Sequence, residues 1–326
     1  MPSQVVVGLN AVILAVTRDE PRIMTIEVSP QARGAEAQQA LQDLYQVENT
    51  EEGSLHALPF GPLDASEDRT LELALRRWVK AQTDLDLGYV EQLYSFGDRF
   101  RDPLEAESGK RVISIAYLTL VRDEKPTAVP GSGWRNVYDF LPWEDFRRGE
   151  WSDLRGQLVP ALEAWVLAGD DAESRQRRAL RAEMVFGLGG APWDGDRVLE
   201  RYELLYEVGL VREAGQGRNV GTPMGMDHRR ILATALGRLR GKIRYRPVVF
   251  EMLPDEFTLL QLQRSVEALS GVLLHKQNFR RLVEQAGLVE GTNRVTRARG
   301  RPAELFCFRR EVLRERPAPG VGLPRT

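Results

Sequence analysis

The sequence is poor in the residues that build metal centres and disulfides. Its 326 residues include one cysteine, Cys307, and three histidines, His56, His228 and His275. A single cysteine excludes a disulfide framework and a cysteine-based zinc or iron–sulfur site. The longest apolar run near the N-terminus, residues 11–16, is far shorter than the ~20 residues that span a bilayer. A soluble, cytoplasmic protein without membrane contact or bound metal is therefore expected.

Neither sign of charge dominates, and the formal net charge of −2 argues against nucleic acid only if it is spread evenly. It is not. Residues 228–326 hold 20 Lys+Arg against nine Asp+Glu, an excess of +11, which leaves −13 on residues 1–227. An acidic body with a basic C-terminal third is typical of a protein in which only that third contacts a polyanion. A solvated basic face would give the same count.

Hydrophobic periodicity predicts two kinds of region along the chain. Strands are expected at residues 5–16, 22–28 and 111–121, with an amphipathic helix near 69–82. Helical periodicity then covers residues 154–166, 174–186, 198–211 and 227–245. Residues 317–326, rich in proline and glycine, are expected to fray.

Residues 61–85 resemble the Nudix hydrolase motif, G-x5-E-x7-R-E-U-x-E-E-x-G-U, where U is aliphatic. The resemblance implies a loop and a helix whose carboxylates hold Mg²⁺ against a pyrophosphate. Gly61 and Glu67 have the required spacing. Aligned on Arg76, the three glutamate positions hold Arg77, Lys80 and Ala81. Aligned on Arg77, they hold Trp78, Ala81 and Gln82, and this preferred register keeps both aliphatic positions.

Neither register keeps a metal-binding carboxylate in the motif core, so an inactive domain is expected. Arg76, Arg77 and Lys80 would repel Mg²⁺ and are able to bind phosphate directly, although a solvated basic face fits them equally well. Residues 88–103 are similar to the E-Q-L-Y-x-F-G-D-x-x-R-D-P form of Nudix-related transcriptional regulators of NAD metabolism. The predicted ligand residues are Phe60, Arg76, Arg77, Lys80, Arg99 and Arg101, whereas Tyr117 is assigned to the core.

The basic third has the pattern of a helix-turn-helix. Thr258 and Gln261 form a capping box before a helix at residues 259–270, and Gly271 ends that helix. A second helix follows, and its N-terminal residues would meet base edges in the major groove. Its outward positions hold Lys276, Gln277, Asn278, Arg280 and Arg281; Gln and Asn pair with adenine, and Arg with guanine or phosphate.

Residues 288–308 read as strand, basic loop and strand, which is the pattern of a wing. Its arginines suit phosphates or a narrow minor groove, and they are Arg294, Arg297, Arg299 and Arg301. A helix pair with a basic hairpin also occurs in protein-docking modules. The order of motifs is that of the Nudix-related regulators, and the resemblance covers residues 1–147 and 227–326. Residues 151–226 are an addition, closest to a longer, alphaproteobacterial-type branch.

The resemblance implies an α+β fold: a Nudix-like α/β/α sandwich with a helical insert, followed by a winged helix-turn-helix domain. The predicted parts are a sensor domain at 1–150, an insert at 151–226, a closing helix at 227–245 and a winged helix at 246–326. The segment from Tyr245 to Pro254 is expected to be a moving hinge.

The implied function is a homodimeric repressor of NAD biosynthesis genes. It would bind double-stranded operator DNA and sense ADP-ribose, NAD or an adenine nucleotide such as ATP, without a cofactor or catalysis. The alternatives are a Nudix hydrolase of ADP-ribose or a dinucleotide with an appended nucleic-acid-binding domain, and an RNA-binding or protein-docking adaptor.

Overall fold

The computed structural model describes residues 5–28, 55–98, 111–122, 129–149, 154–215, 219–296 and 302–321. They group by contact into two compact units. Unit 1 comprises Met1–Ala15, Arg22–Phe140 and Gly221–Ala235. Unit 2 comprises Val16–Pro21, Leu141–Val220 and Leu236–Thr326. Because the units group residues by contact rather than by order along the chain, the four-part division stays a prediction.

Unit 1 is built on a mixed sheet. Its described strands are β1 (Val5–Thr17), β2 (Glu20–Val28), β3 (Leu55–Ala57), β4 (Phe60–Pro62), β5 (Tyr89–Phe96), β6 (Arg111–Leu120) and β7 (Ser132–Asn136). The order is β3-β2-β1-β6-β5, with β4 paired to β1 and β7 to β2. The β1–β6 pair is parallel, and the other described pairs are antiparallel. The three strands expected from the sequence are confirmed, whereas β7 was not among the predicted strands.

Helix α1 (Leu71–Thr83) covers one face of this sheet. It begins because the Thr70 hydroxyl accepts the Leu73 N–H, and it ends at Asp84, whose φ of 57° leaves the helical region. Leu75 and Val79 pack in the same cluster as β1 side chains and Tyr117, so the core role of Tyr117 is confirmed. The short helix α2 (Val137–Phe140) follows β7.

The insert lies in unit 2 and is helical, as predicted. It contains α3 (Arg155–Leu167), α4 (Ala172–Phe186) and α5 (Val198–Glu207). Helix α6 (His228–Tyr245) contributes residues to both units. No helix in the described part of the chain is long and apolar enough to span a membrane.

A buried ionic cluster joins the insert to the C-terminal half of α6. The carboxylate of Glu144, fully buried, accepts hydrogen bonds from Arg201 at 2.5 and 3.0 Å and from Arg240 at 2.5 Å. Arg240 also donates to the Leu269 carbonyl at 3.0 Å. Two guanidiniums share one carboxylate, and main-chain carbonyls take up their remaining donors. That arrangement satisfies charges whose burial would otherwise be costly.

The C-terminal part of unit 2 has the predicted winged-helix elements. These are α7 (Leu259–Ser270), α8 (Lys276–Gln285), β8 (Val289–Val295), β9 (Glu304–Phe308) and α9 (Val312–Glu315). The capping box at Thr258 and Gln261 is present, and Gly271 ends α7 with a φ of 73°.

One expectation for this unit is untested and one is wrong. The segment predicted to be a hinge contains a 3-10 helix, Val248–Met252, in which Val248, Val249, Phe250 and Met252 are buried; that it moves stays a prediction. The tail does not fray throughout: Val321 is buried, and its N–H donates to the Ile243 carbonyl at 2.9 Å. Residues 322–326 lie outside the described part.

Candidate nucleic-acid interface and sensor site

The N-terminal half of α8 presents an exposed polar stripe. Phe279 and Val283 are buried and anchor the helix. The opposite positions are exposed, and they hold the predicted contact residues Lys276, Gln277, Asn278, Arg280 and Arg281. None of these five side chains makes a hydrogen bond or ion pair with any residue in the described ranges. Their donors and three cationic groups are therefore presented to solvent.

One of the four predicted DNA contacts of the wing lies in the described part of the chain. Strands β8 and β9 pair antiparallel with an irregularity between Gly291 and Val295, and Asn293 adopts a φ of 57° there. Arg294 is exposed and forms an ion pair with Glu256. Arg297, Arg299 and Arg301 lie outside the described residues.

The cations of α1 have a different environment from those of α8. The Arg77 guanidinium holds Asp68 at 2.9 and 3.0 Å. Arg76 pairs with Glu72 at 2.8 Å and donates to the Gly88 carbonyl at 3.1 Å. A phosphate at this helix would have to compete with these internal carboxylates.

Lys80 completes the set on α1. Its ammonium lies 2.9 Å from Asp84 and 3.0 Å from Asp86, and hydrogen bonds to these two carboxylates raise the pKa of Lys80. Phe60 is buried, and its ring packs edge-on against His228 at 5.1 Å. Arg99 and Arg101 lie outside the described residues, so the predicted ligand set is seen only in part.

Two motif positions that carry glutamate in Nudix hydrolases have structural partners here. Gln82 is buried; its side-chain oxygen accepts the Phe60 N–H at 3.0 Å, and its amide donates to the Phe60 carbonyl at 2.7 Å. The Trp78 ring covers Gly61, where a Cβ would lie 2.2 Å from the ring. Trp78 also donates to the Pro62 carbonyl at 2.8 Å. These side chains hold β4 and offer no ligand to a hard cation.

No group of three or more His, Cys, Asp or Glu that could hold a metal ion occurs in the part of the chain that the structure describes. Among the carboxylates near α1, Asp68, Asp84 and Asp86 are bound to cationic side chains. The chemistry of α1 therefore does not fit Mg²⁺.

The sequence reasoning missed a polar site on the sheet face opposite α1. Side chains alternate along a strand, so Asn10 faces away from Leu9 and Ala11, which pack with α1. Asn10 is fully buried, and neither its amide nitrogen nor its oxygen has a hydrogen-bond partner among the described residues. Its cross-strand neighbours are Phe60 and Ala116. A buried amide left unsatisfied costs about 1–3 kcal/mol.

Other groups of unit 1 belong to this same face. Phe96 on β5 pairs with Ser114, whose β1 neighbour is Gly8. The Arg230 guanidinium lies 5.4 Å from the Phe96 ring centre and 2.7 Å from Asp98. We call Gly8, Asn10, Phe96, Ser114 and Arg230 the Asn10 face. It offers an aromatic edge, an amide and a cation, and a lone asparagine in an apolar strand was the available sequence signal.

His228 is a neutral acceptor inside unit 1. It is buried, and its Nδ1 accepts the Leu58 N–H at 2.9 Å, so the ring proton lies on Nε2. Burial lowers the pKa of His228 to about 3. The imidazole thus fixes the loop before β4 and carries no charge near neutrality.

With both units described, the class is defined: a Nudix-like α+β domain with a helical insert, joined to a C-terminal winged helix. Residues 249–308 match the family described as the NrtR DNA-binding winged helix domain. The resemblance to Nudix-related regulators is thereby confirmed.

Particular relatives agree with this architecture. The chain is 24% identical over 265 residues to the "ADPR responsive transcriptional repressor NtrR" of Acinetobacter baylyi, covering 81% of this chain and 74% of that protein. NrtR of Shewanella oneidensis, solved with a 27mer DNA, is 20% identical with a TM-score of 0.54 over 94% of both chains. A MutT/nudix family protein from Enterococcus faecalis is 15% identical, with a TM-score of 0.53 over 95% and 88% of the two chains.

Proposed function

We propose that the protein is an ADP-ribose-responsive transcriptional repressor of the NrtR type, acting on NAD biosynthesis genes in the cytoplasm. The exposed stripe of α8 carries this proposal. Five donor side chains without a partner among the described residues lie at the start of the second helix of a helix-turn-helix, where that motif meets base edges. The repressor function of the Acinetobacter relative and the DNA in the Shewanella structure support it.

Retardation of the DNA upstream of the protein's own gene tests this function. Wild type should bind that duplex with at least about 10³-fold preference over unrelated DNA, and ADP-ribose should change the affinity. NAD and ATP serve as comparison ligands. Equal binding to unrelated duplex, or a preference for RNA, would point to an adaptor instead of an operator-binding repressor.

We infer that unit 1 binds the nucleotide without hydrolysing it. Support comes from Trp78 and Gln82, which occupy glutamate positions of the preferred register and hold β4. Magnesium-dependent release of AMP from ADP-ribose would contradict this inference, and a panel of nucleotides should give none. Coupling between nucleotide binding and operator binding requires that ADP-ribose bind two states of the protein with different affinity.

The predicted cationic residues of α1 and the Asn10 face are two candidate contact regions for the nucleotide. Replacing Asn10 with Leu distinguishes between these two regions. The variant removes an unsatisfied buried amide, so the unfolding free energy should rise by about 1 kcal/mol. If the face contacts the nucleotide, the thermal shift with ADP-ribose should shrink at the same time. A stabilised variant with an unchanged shift would assign the nucleotide to the α1 region alone.

A further inference from the structure

The segment Glu144–Arg147 holds several separate parts of unit 2, and we call it the junction segment. The Glu144 carboxylate binds α5 and α6 through the buried arginines described above. The Phe146 ring lies 4.2 Å from that of Trp193 in the insert, and the Phe146 main-chain N–H donates to the Gly271 carbonyl, at the end of α7, at 2.7 Å. One short stretch of chain thus connects the insert, α6 and the first helix of the helix-turn-helix.

Arg147 extends these contacts to the turn between β1 and β2. Its guanidinium is 11% exposed, donates to the Asp19 carbonyl at 2.7 Å and to the Glu20 carboxylate at 2.8 Å, and pairs with Asp145 at 2.8 Å. Arg18 and Asp19 have φ angles of 54° and 64°, as in tight two-residue hairpin turns. Because a planar guanidinium with several fixed acceptors has little freedom, we expect the turn and the junction segment to move together.

The same turn is continuous with the sheet of unit 1. Residues Val16–Pro21 belong to unit 2, whereas β1 up to Ala15 and β2 from Arg22 belong to unit 1. Strand β1 pairs with β2, β4 and β6, and it carries Asn10. A change in the position or twist of β1 on nucleotide binding would therefore reach the turn through the backbone itself.

Helix α7 is held at two points by these contacts. The Asp19 carboxylate pairs with Arg264 at 2.8 Å, although this pair is half-exposed and weak by itself. The end of α7 is held by main-chain contacts, because the Leu269 carbonyl accepts a hydrogen bond from the buried Arg240 and the Gly271 carbonyl accepts one from Phe146. Only residues 272–275 separate this end from α8, so the contacts that fix it also fix where the exposed stripe begins.

We propose that the junction segment transmits the state of the sensor sheet to α8, and that Arg147 is the positioning residue of this path. The inference rests on the proposed function, because it assigns a route by which ADP-ribose changes operator binding. Packed elements and hydrogen-bond networks carry such coupling between distant sites. Arg147 need not contact either ligand; it holds the β1–β2 turn against the segment that anchors α7.

The double variant Asp19→Asn/Glu20→Gln tests this path in the full-length protein. It removes both carboxylates of the turn, and asparagine tolerates the positive φ at the first position. In wild type, ADP-ribose should change operator affinity by about 5- to 150-fold, and in the variant this ratio should fall at least about threefold towards one. The thermal shift with ADP-ribose should keep its wild-type value. A merely structural role would lower operator affinity by the same factor with and without ADP-ribose, and that result would overturn the proposal.

Glu27→Gln is the matched control. Glu27 lies on β2 and pairs with Arg135 at 3.6 Å within unit 1, so the substitution removes a carboxylate from the same strand and leaves the contacts of the junction segment in place. The ratio should remain that of wild type, and an equal loss in this control would contradict the proposal. Arg147→Lys keeps the charge but loses the planar fork, so it should lower the ratio as the double variant does; a wild-type ratio in either variant would contradict the path.

Amide hydrogen exchange gives a second readout that needs neither nucleotide nor operator. In Asp19→Asn/Glu20→Gln, residues 268–278 should exchange at least about threefold faster than in wild type, because loosening the turn frees the end of α7. Glu27→Gln should leave this region unchanged. Unchanged exchange in the double variant would overturn the proposal. Faster exchange there, in a protein whose operator binding does not respond to ADP-ribose, would count against the proposed function and leave the path from the turn to α8 standing.

Discussion

Helices α1 and α8 both carry arginine and lysine side chains, but they differ in whether carboxylates pair with these cations. On α1, Arg77 and Lys80 hold the carboxylates of Asp68, Asp84 and Asp86 at 2.9–3.0 Å. On α8, the cationic and amide side chains of the exposed stripe have no partner among the described residues. Basic residues on a helix therefore do not by themselves indicate an anion site; the carboxylates around them decide.

The comparison also explains why a net charge of −2 is compatible with DNA binding. Carboxylates of the acidic region neutralise its arginines locally, whereas the stripe on α8 keeps its charge. Long-range attraction of a polyanion depends on such unneutralised charge. The proposed DNA binding thus depends on where the ion pairs form.

The buried cluster around Glu144 is a third environment for arginine side chains, and breaking it should have the largest effect on stability. Glu144→Ala leaves Arg201 and Arg240 buried without their carboxylate, which should cost about 3–5 kcal/mol of unfolding free energy. Asp86→Ala is the control: it removes an exposed carboxylate from Lys80 and should cost far less, because solvent screens such pairs. Thermal unfolding measures both, and similar losses would mean that the buried cluster has no special role.

The double variant Arg280→Ala/Arg281→Ala removes two guanidinium groups from the exposed stripe of α8. Operator affinity should fall by about 2–4 kcal/mol, or roughly 30- to 1,000-fold, because two guanidinium contacts are lost. The thermal shift with ADP-ribose should not change. Normal retardation by this variant would remove α8 from the role of recognition helix.

His228 contrasts with all these cations because its ring stays neutral. With a pKa of about 3 in the folded protein and 6.5 unfolded, the unfolded chain binds the extra proton as pH falls. Stability should therefore be lost below about pH 6.5, with about 2 kcal/mol gone by pH 5.

His228→Asn removes the titration and can keep an acceptor for the Leu58 N–H. The difference in Tm between pH 7 and pH 5 should be smaller in this variant than in wild type. His275→Asn, at an exposed position before α8, is the control and should leave the difference unchanged. An equal pH dependence in wild type and His228→Asn would contradict the assignment.

The smallest effect on DNA binding is expected from substitutions on α1. Arg77→Ala/Lys80→Ala breaks the exposed ion pairs of Lys80 and the pair between Arg77 and the mostly buried Asp68 carboxylate, and should leave operator affinity unaltered. The same variant tests the predicted phosphate contacts, since a weaker thermal shift with ADP-ribose would support them. Reduced DNA affinity would break the distinction between the two helices.

The elements that follow a strong local pattern were predictable from the sequence. Strands β1, β2 and β6 have long apolar runs, and Thr258 with Gln261 marks the start of α7. The exposed positions of α8 follow from its period because Phe279 and Val283 define the buried side.

The remaining features depend on pairs that are distant along the chain. Glu144 meets Arg201 and Arg240, 57 and 96 residues away, and no periodicity encodes that meeting. Strand β7 has no alternating pattern and forms by pairing with β2. The docking of Val321 on α6 is likewise decided by tertiary contact.

The salt dependence of operator binding tests the central claim most directly. Each phosphate contact that is lost should lower the slope of log K against log salt by about one. Relative to wild type, Arg280→Ala/Arg281→Ala should lower that slope by about one to two, and Arg76→Ala/Arg77→Ala should not change it. Equal slopes for the three proteins, or a change confined to the α1 variant, would contradict the account.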